Sequence, residues 1–356
     1  MDRPISQEGT SAAQRAVLTL AVLGLFAAAC FRSPDRAPRT PPGERPLERL
    51  RREARALEPL VRSPLGRAFL AETAALPRVA PRVVYQDSQR GRFLTEAQAR
   101  LLSEEERRGL ERKVYDEEFY YFTRYGTPLA YVRPLEVLAR AGLAQVSGRR
   151  ILDFGHGGIG QLRLLAALGA EVTGVEIHPL LPALYSDPAD QGRVVGTRGW
   201  QGKLTLVNGR YPADPAVREA VGSGYDLILS KNVLKRGYLH PAEPVPERQR
   251  IRLGVSDEEF VRTLFSALVP GGRVLLYNLC PAPAPPGKPY IPWADGRSPF
   301  SRGLWESAGF RVLAFDQDDT GPARAMGRAL GWDRGPDAMD LERDLFALYT
   351  LVERPR

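Results

Sequence analysis

Residues 149–179, RRILDFGHGGIGQLRLLAALGAEVTGVEIHP, place four glycines, at 155, 157, 158 and 160, between two apolar runs and close the second run on an acid, Glu176. The spacing reads as a strand that ends in a glycine turn and opens a helix. Such a turn lets backbone come close to a ligand, because a Cβ would collide there. Gly155, Gly157 and Gly160 hold the positions where that freedom is needed. Glu176 stands 21 residues past Gly155 and ends the next strand, where a carboxylate can accept hydrogen bonds from both hydroxyls of a ribose.

Two ligand classes fit a glycine turn of this kind, and Asp153 separates them. A dinucleotide rests its pyrophosphate on the helix amino terminus, and an acid just before the glycines would repel it. S-adenosylmethionine has no phosphate and carries an amino group and a sulfonium, so Asp153 suits it. Beyond the turn, short apolar runs alternate with helical ones: RRILDF at 149, AEVTGVEI at 170, KLTLVN at 203, YDLILS at 225, GRVLLYNL at 272, FRVLAFD at 310 and LFALYTLVE at 345. Seven strands with helical connections predict an α/β fold, a mostly parallel sheet covered by helices on both faces.

LFSALVPGGRVLLYNL at 264–279 matches the helix, Pro-Gly-Gly turn and fifth strand of class I S-adenosylmethionine-dependent methyltransferases, and WESAGFRVLAFD with DLFALYTLVERP resembles that family's closing helix and last two strands. Together with the glycine turn, these motifs make residues 141–356 resemble the family. The resemblance implies a Rossmann-like seven-stranded sheet with the last strand inserted antiparallel, and S-adenosyl-L-methionine as cofactor. One departure is Ile159, which stands where many members have glycine, with Gly160 directly after it. Carried over by position, Asp153 and the glycines would hold the methionine end, Glu176 the ribose and Ile177 the adenine. Asn208, from VNGRY, takes the place of an acid that often reaches the adenine amino group.

SKNVLKRGYLHP follows the fourth strand, in the region from which the family draws acceptor-side residues. Ser230, Lys231 and Asn232 are expected to face the cofactor, with Tyr238 and His240 as acceptor contacts. His240 is the candidate base, needed only if the acceptor arrives protonated. The family's Asn-Pro-Pro-Tyr signature for amino-group methylation of nucleic acid or protein is absent. Acceptor choice then falls to FYYFTRYGTPLAYVRP and to the proline-rich insertion at 281–302, whose Tyr290, Trp293 and Phe300 could wall a pocket. The expected function is methyl transfer to a small-molecule or lipid-like acceptor. A non-catalytic binding protein on the same fold is the competing reading, and an NAD-dependent dehydrogenase the lesser one.

Composition narrows the field further. The 356 residues include 45 Arg and 5 Lys against 42 acids, a net charge of +8, and ten of the arginines lie within residues 32–67. No basic stripe interleaved with aromatics marks the α/β part, which argues against a nucleic-acid partner. Two cysteines and three histidines leave little for a metal site or disulfide framework, and none is expected. Cys280 reads as a small core residue.

Residues 1–30 read as a signal peptide or membrane anchor around AVLTLAVLGLFAAA at 16–29, too short for a comfortable span and about right for a signal core. The run ends in Ala-Ala-Ala-Cys30, which resembles a lipoprotein box. The arginines downstream of it favour keeping the following chain in the cytoplasm. Membrane association, with the cytoplasmic face favoured over export and acylation at Cys30, is the expectation. Residues 31–46 form a Pro/Arg-rich linker, 47–140 a helical amino-terminal subdomain covering the acceptor, and 141–356 the cofactor-binding domain. In that part residues 94–122 read as helix, with Ser103 and Glu106 making a capping box.

Overall fold

A computed structural model describes residues 43–335 and 338–356. The expected signal, anchor and lipoprotein features at 1–30, and most of the linker, lie outside the described residues. Among the described residues, no helix is long and apolar enough to cross a membrane.

The amino-terminal part is built on leucines at helical spacing. Leu47, Leu50, Ala54 and Leu57 line the buried side of the helix Pro46–Leu57, the 3.6-residue stripe of a helix laid on a core. Three strands follow: β1 (Arg82–Asp87), β2 (Arg92–Thr95) and β3 (Glu111–Tyr115), an antiparallel sheet in the order β2-β1-β3. The expected helix across 94–122 is thus interrupted. Its first pieces are present, Glu96–Arg100 and Glu104–Arg108, the latter capped by Ser103 and Glu106 as expected. Gly109 ends that helix, and Asp116 caps the next, Glu117–Phe122. Between these stop and start signals, Glu111–Tyr115 pairs with β1, and Tyr115 donates its hydroxyl to Gln86 at 2.7 Å.

All seven expected strands form: β4 (Arg150–Phe154), β5 (Glu171–Glu176), β7 (Gln201–Asn208), β8 (Tyr225–Lys231), β9 (Leu268–Cys280), β10 (Arg311–Asp318) and β11 (Phe346–Glu353). An eighth, β6 (Gly192–Val195), extends the edge as an antiparallel hairpin with β7. The order is β10-β11-β9-β8-β4-β5-β7-β6. The five strands from β9 to β7 run parallel, and β11 lies antiparallel between β9 and β10. This is a Rossmann-like α/β fold with the strand order of class I methyltransferases. The order reverses direction at β4, where the next strand in sequence, β5, lies to one side and β8 to the other. Ligands of open α/β sheets bind at such a switch point, beyond the carboxyl ends of the strands.

The sheet separates two apolar clusters. One joins the amino-terminal helices, the helix Gly160–Ala167 and one sheet face; the other packs the helix Asp257–Ala267 and Arg302–Ser307 on the opposite face. Ion pairs, one of them buried, fasten the amino-terminal part to the rest of the fold. Arg133 grips Asp319 through Nε and Nη2 at 2.8–3.1 Å, and Tyr277 donates to the same carboxylate at 2.8 Å. Arg82 bridges Asp187 and Asp190, each at 3.0 Å.

Candidate active site

The glycine turn lies where β4 meets its helix. Gly155 and Gly157 have φ of +73° and +61°, the left-handed region that favours glycine. The Glu176 carboxylate at the end of β5 fastens the turn from the side: its Oε2 accepts from the Gly157 N–H at 3.1 Å. Its Oε1 accepts from Ile177 and His178 at 2.8 and 3.2 Å. A carboxylate offers about four acceptor positions, so three backbone N–H groups leave room for one further donor, fewer than the two ribose hydroxyls expected. Asn208 is exposed and donates Nδ2 to the carbonyls of Glu176 and His178 at 2.8 and 3.2 Å, which clamps the loop after β5. Glu176, Ile177, Asn208 and the glycines are therefore brought together.

Asp153 lies beneath them, fully buried. Burial pushes its carboxyl up to about 7, against the pull of hydrogen bonds from Tyr131 and Gln161 and of the nearby Lys231 charge. Tyr131 donates its hydroxyl to Oδ1 at 3.1 Å, and the Lys231 ammonium stands 5.7 Å over the Tyr131 ring. The buried His156 ring, inside the turn, sets Nδ1 3.0 Å from the Gly158 carbonyl, and burial lowers its pKa. Tyr131 and His156 were not singled out in the sequence as site residues. Their only signals are the place of Tyr131 in the aromatic run FYYFTRYGTPLAYVRP and that of His156 between two of the glycines.

The acceptor-side residues scatter. Asp153 is in register with Leu229, so the adjacent Ser230 faces the opposite side of the sheet; its buried hydroxyl has no hydrogen-bond partner among the described groups. Asn232, at φ +66°, accepts from the Leu279 N–H at 2.7 Å and closes the end of β8 onto β9. Tyr238 is buried in the second apolar cluster. His240 is half-exposed, with Nε2 2.8 Å from Asp257 at the start of the helix Asp257–Ala267. The insertion also divides. Phe300 is fully buried against Phe260 and Trp305, a core ring rather than a pocket wall, because the chain turns inward before Arg302–Ser307. Trp293 and Tyr290 stay partly exposed. Among the described residues, no group of His, Cys, Asp and Glu could hold a metal ion.

No family model and no curated protein matches the chain. Among solved structures, the chain is similar to an S-adenosylmethionine-dependent methyltransferase from Mesorhizobium loti, at 21% identity over 63% of this chain and 98% of that one, with a TM-score of 0.36. It is also similar to phosphoethanolamine N-methyltransferase 2 of Haemonchus contortus in complex with S-adenosylhomocysteine, at 14% identity over 69% and 63%, TM-score 0.38. A third likeness is to the 4+2 cyclase SpnF, at 14% identity over 84% and 93%, TM-score 0.38.

Proposed function

We propose that this chain is an S-adenosylmethionine-dependent methyltransferase acting on a small-molecule or lipid-like acceptor. The observation that carries this reading is the Glu176 carboxylate. It stands at the switch point of the sheet, bonded to the Gly157 N–H and with one acceptor position left for a hydroxyl. The donor set fits the cofactor. Gly155 and Gly157 adopt conformations that a side chain would strain, and Asp153 lies fully buried beneath them.

Bound S-adenosylmethionine supplies a methyl group already activated on a sulfonium. The chain's own work is then to orient the reactants and exclude water, and positioning can supply most of the rate of such a displacement. Glu176 would hold the ribose, Ile177 the adenine side, and the glycine turn the methionine end. Lys231 sets a cation beside Tyr131 at the end of β8, on the side where an acceptor would approach. Tyr238 lies in the core and His240 on the rim, so the proposal leans on positioning rather than on a base. Attachment to a membrane through residues 16–30, facing the cytoplasm, is also proposed, on the sequence alone.

Calorimetry of the full chain with S-adenosylhomocysteine and NAD tests the reading. S-adenosylhomocysteine should bind, and Glu176→Ala should weaken it by about 1–3 kcal/mol, the cost of leaving a buried hydroxyl unpaired. Gly155→Val should abolish binding, since the new side chain meets Val233 and is strained at φ +73°. Binding of NAD with no response to S-adenosylhomocysteine would sink the proposal. One observation favours the competing non-catalytic reading: the protein's own chain lies along the glycine turn.

A further inference from the structure

Residues 121–128 follow the glycine turn glycine by glycine. A Cβ on Gly160 would sit 2.8 Å from the Pro128 ring and 3.1 Å from the Tyr121 carbonyl, and one on Gly158 would sit 3.4 Å from the Thr123 side chain. A Cβ on Gly157 would lie 2.7 Å from the ring of Tyr125. The absent side chains thus make room for this strap, and at Gly157 the room is taken by an aromatic ring.

The ends of the strap are buried, and in its middle Thr123 is buried too while the Tyr125 N–H donates to the Phe122 carbonyl at 3.2 Å; the Tyr125 side chain is the part that reaches solvent. Tyr121 and Pro128 are buried, and the Tyr121 hydroxyl donates to the Pro77 carbonyl. Thr127 accepts from the Leu129 N–H at 3.3 Å. Between them Tyr125 is 47% exposed, although its ring rests on Gly157. Burial first, and then the charge of Glu176, whose carboxylate accepts from the Gly157 N–H, push the Tyr125 hydroxyl well above the ordinary tyrosine range. Two left-handed residues bracket it, Thr123 at φ +47° and Gly126 at φ +81°. A β-branched residue at positive φ is strained, so the strap carries a bias toward leaving this conformation.

We propose that Tyr125 is a gate on the nucleoside site: its ring competes with the ribose-bearing ligand for the surface of Gly157 beside Glu176, and the strap turns at Thr123 and Gly126 to admit that ligand. The inference rests on the reading given under Proposed function. The physics is a population shift. When only a fraction of molecules has the strap open, the apparent dissociation constant rises by the inverse of that fraction.

The test is titration of the full chain with S-adenosylhomocysteine, together with hydrogen exchange across 121–128. Tyr125→Ala removes the ring and should tighten binding by about fivefold to tenfold. Gly126→Ala meets no atom within 4 Å but is disfavoured at φ +81°, so it should shift binding in the same direction without touching the ligand. Tyr125→Phe keeps the ring and should stay near the parent protein. Exchange at 121–128 should rise when S-adenosylhomocysteine binds. Equal affinity in parent and Tyr125→Ala with unchanged exchange, or weaker binding by Tyr125→Ala, would overturn the gate and leave the methyltransferase reading standing. Binding by neither protein would overturn both.

Discussion

The two faces of the large sheet are held by different physics. On one, six rings run in contact: Phe154, Phe260, Phe300, Trp305, Phe310 and Phe265, with neighbouring centroids 5.1–5.5 Å apart. On the other, beneath the amino-terminal part, Asp153, Arg133, Asp319 and Glu136 are all buried. Aromatic packing stabilises through area and shape, whereas buried charges cost desolvation and return it only when every partner is present. The face with the glycine turn is the one that adds these buried charges to its apolar cluster. A site that must bind a polar ligand needs such groups, and the ring-lined face supplies rigidity behind it.

The largest effect should come from breaking one charge cluster. Asp319→Ala leaves Arg133, 8% exposed, without its main partner and removes the acceptor of the Tyr277 hydroxyl. The expected loss is about 3–5 kcal/mol in urea unfolding. Arg133→Met combined with Asp319→Leu, which replaces the pair by apolar groups, should recover most of that loss. If the single change costs under about 1 kcal/mol, the contrast between the faces fails.

Much of this architecture was legible in the sequence, and the limits fall where contacts are distant. The seven strands announce themselves because each is a short apolar run bounded by turns. β6 escaped as a four-residue edge strand, although Val194-Val195 and the glycine-containing turn to β7 are a weak hairpin signal. Glu176 and the glycines could be placed because their spacing is local. Tyr125 on Gly157 and Tyr131 on Asp153 could not, since those contacts form only when a segment 22 or more residues upstream folds onto the turn. Arg133 and Asp319 are 186 residues apart, and no periodicity links them. Phe300 was misread because proline-rich composition suggests a surface loop, while the last residues of the insertion turn into the core.

Asp153 offers a second, smaller contrast, read through pH. Its folded pKa, pushed up to about 7 by burial, exceeds the roughly 3.9 of an unfolded aspartate. Between those values the folded protein holds a proton that the unfolded chain has released. Stability from this group is therefore full below about pH 4 and is lost as pH rises toward 7. Asp153→Asn cannot ionise, so its stability relative to the parent should improve by on the order of 2–4 kcal/mol between pH 4 and pH 8. Taking the difference between the two proteins cancels the other carboxylates. A flat difference across that window would mean that Asp153 is solvated in the folded protein.

The smallest effect is expected at His240, where sequence and structure pull apart most. The sequence offered it as a base, while the structure pairs it with Asp257 at 2.8 Å, the two side chains 45% and 30% exposed. Asp257 opens the helix Asp257–Ala267, where an acid is already favoured by the helix dipole and Ser256 caps the end through the Glu259 N–H at 3.1 Å. Asp257 thus keeps favourable surroundings without the histidine, and water reaches both groups. A double-mutant cycle of His240→Ala and Asp257→Ala should give a coupling below about 1 kcal/mol, shrinking as salt is raised. S-adenosylhomocysteine affinity should not change in either variant. A coupling above about 2 kcal/mol that persists in high salt would put the pair in a desolvated pocket and return His240 to the list of groups able to move an acceptor proton.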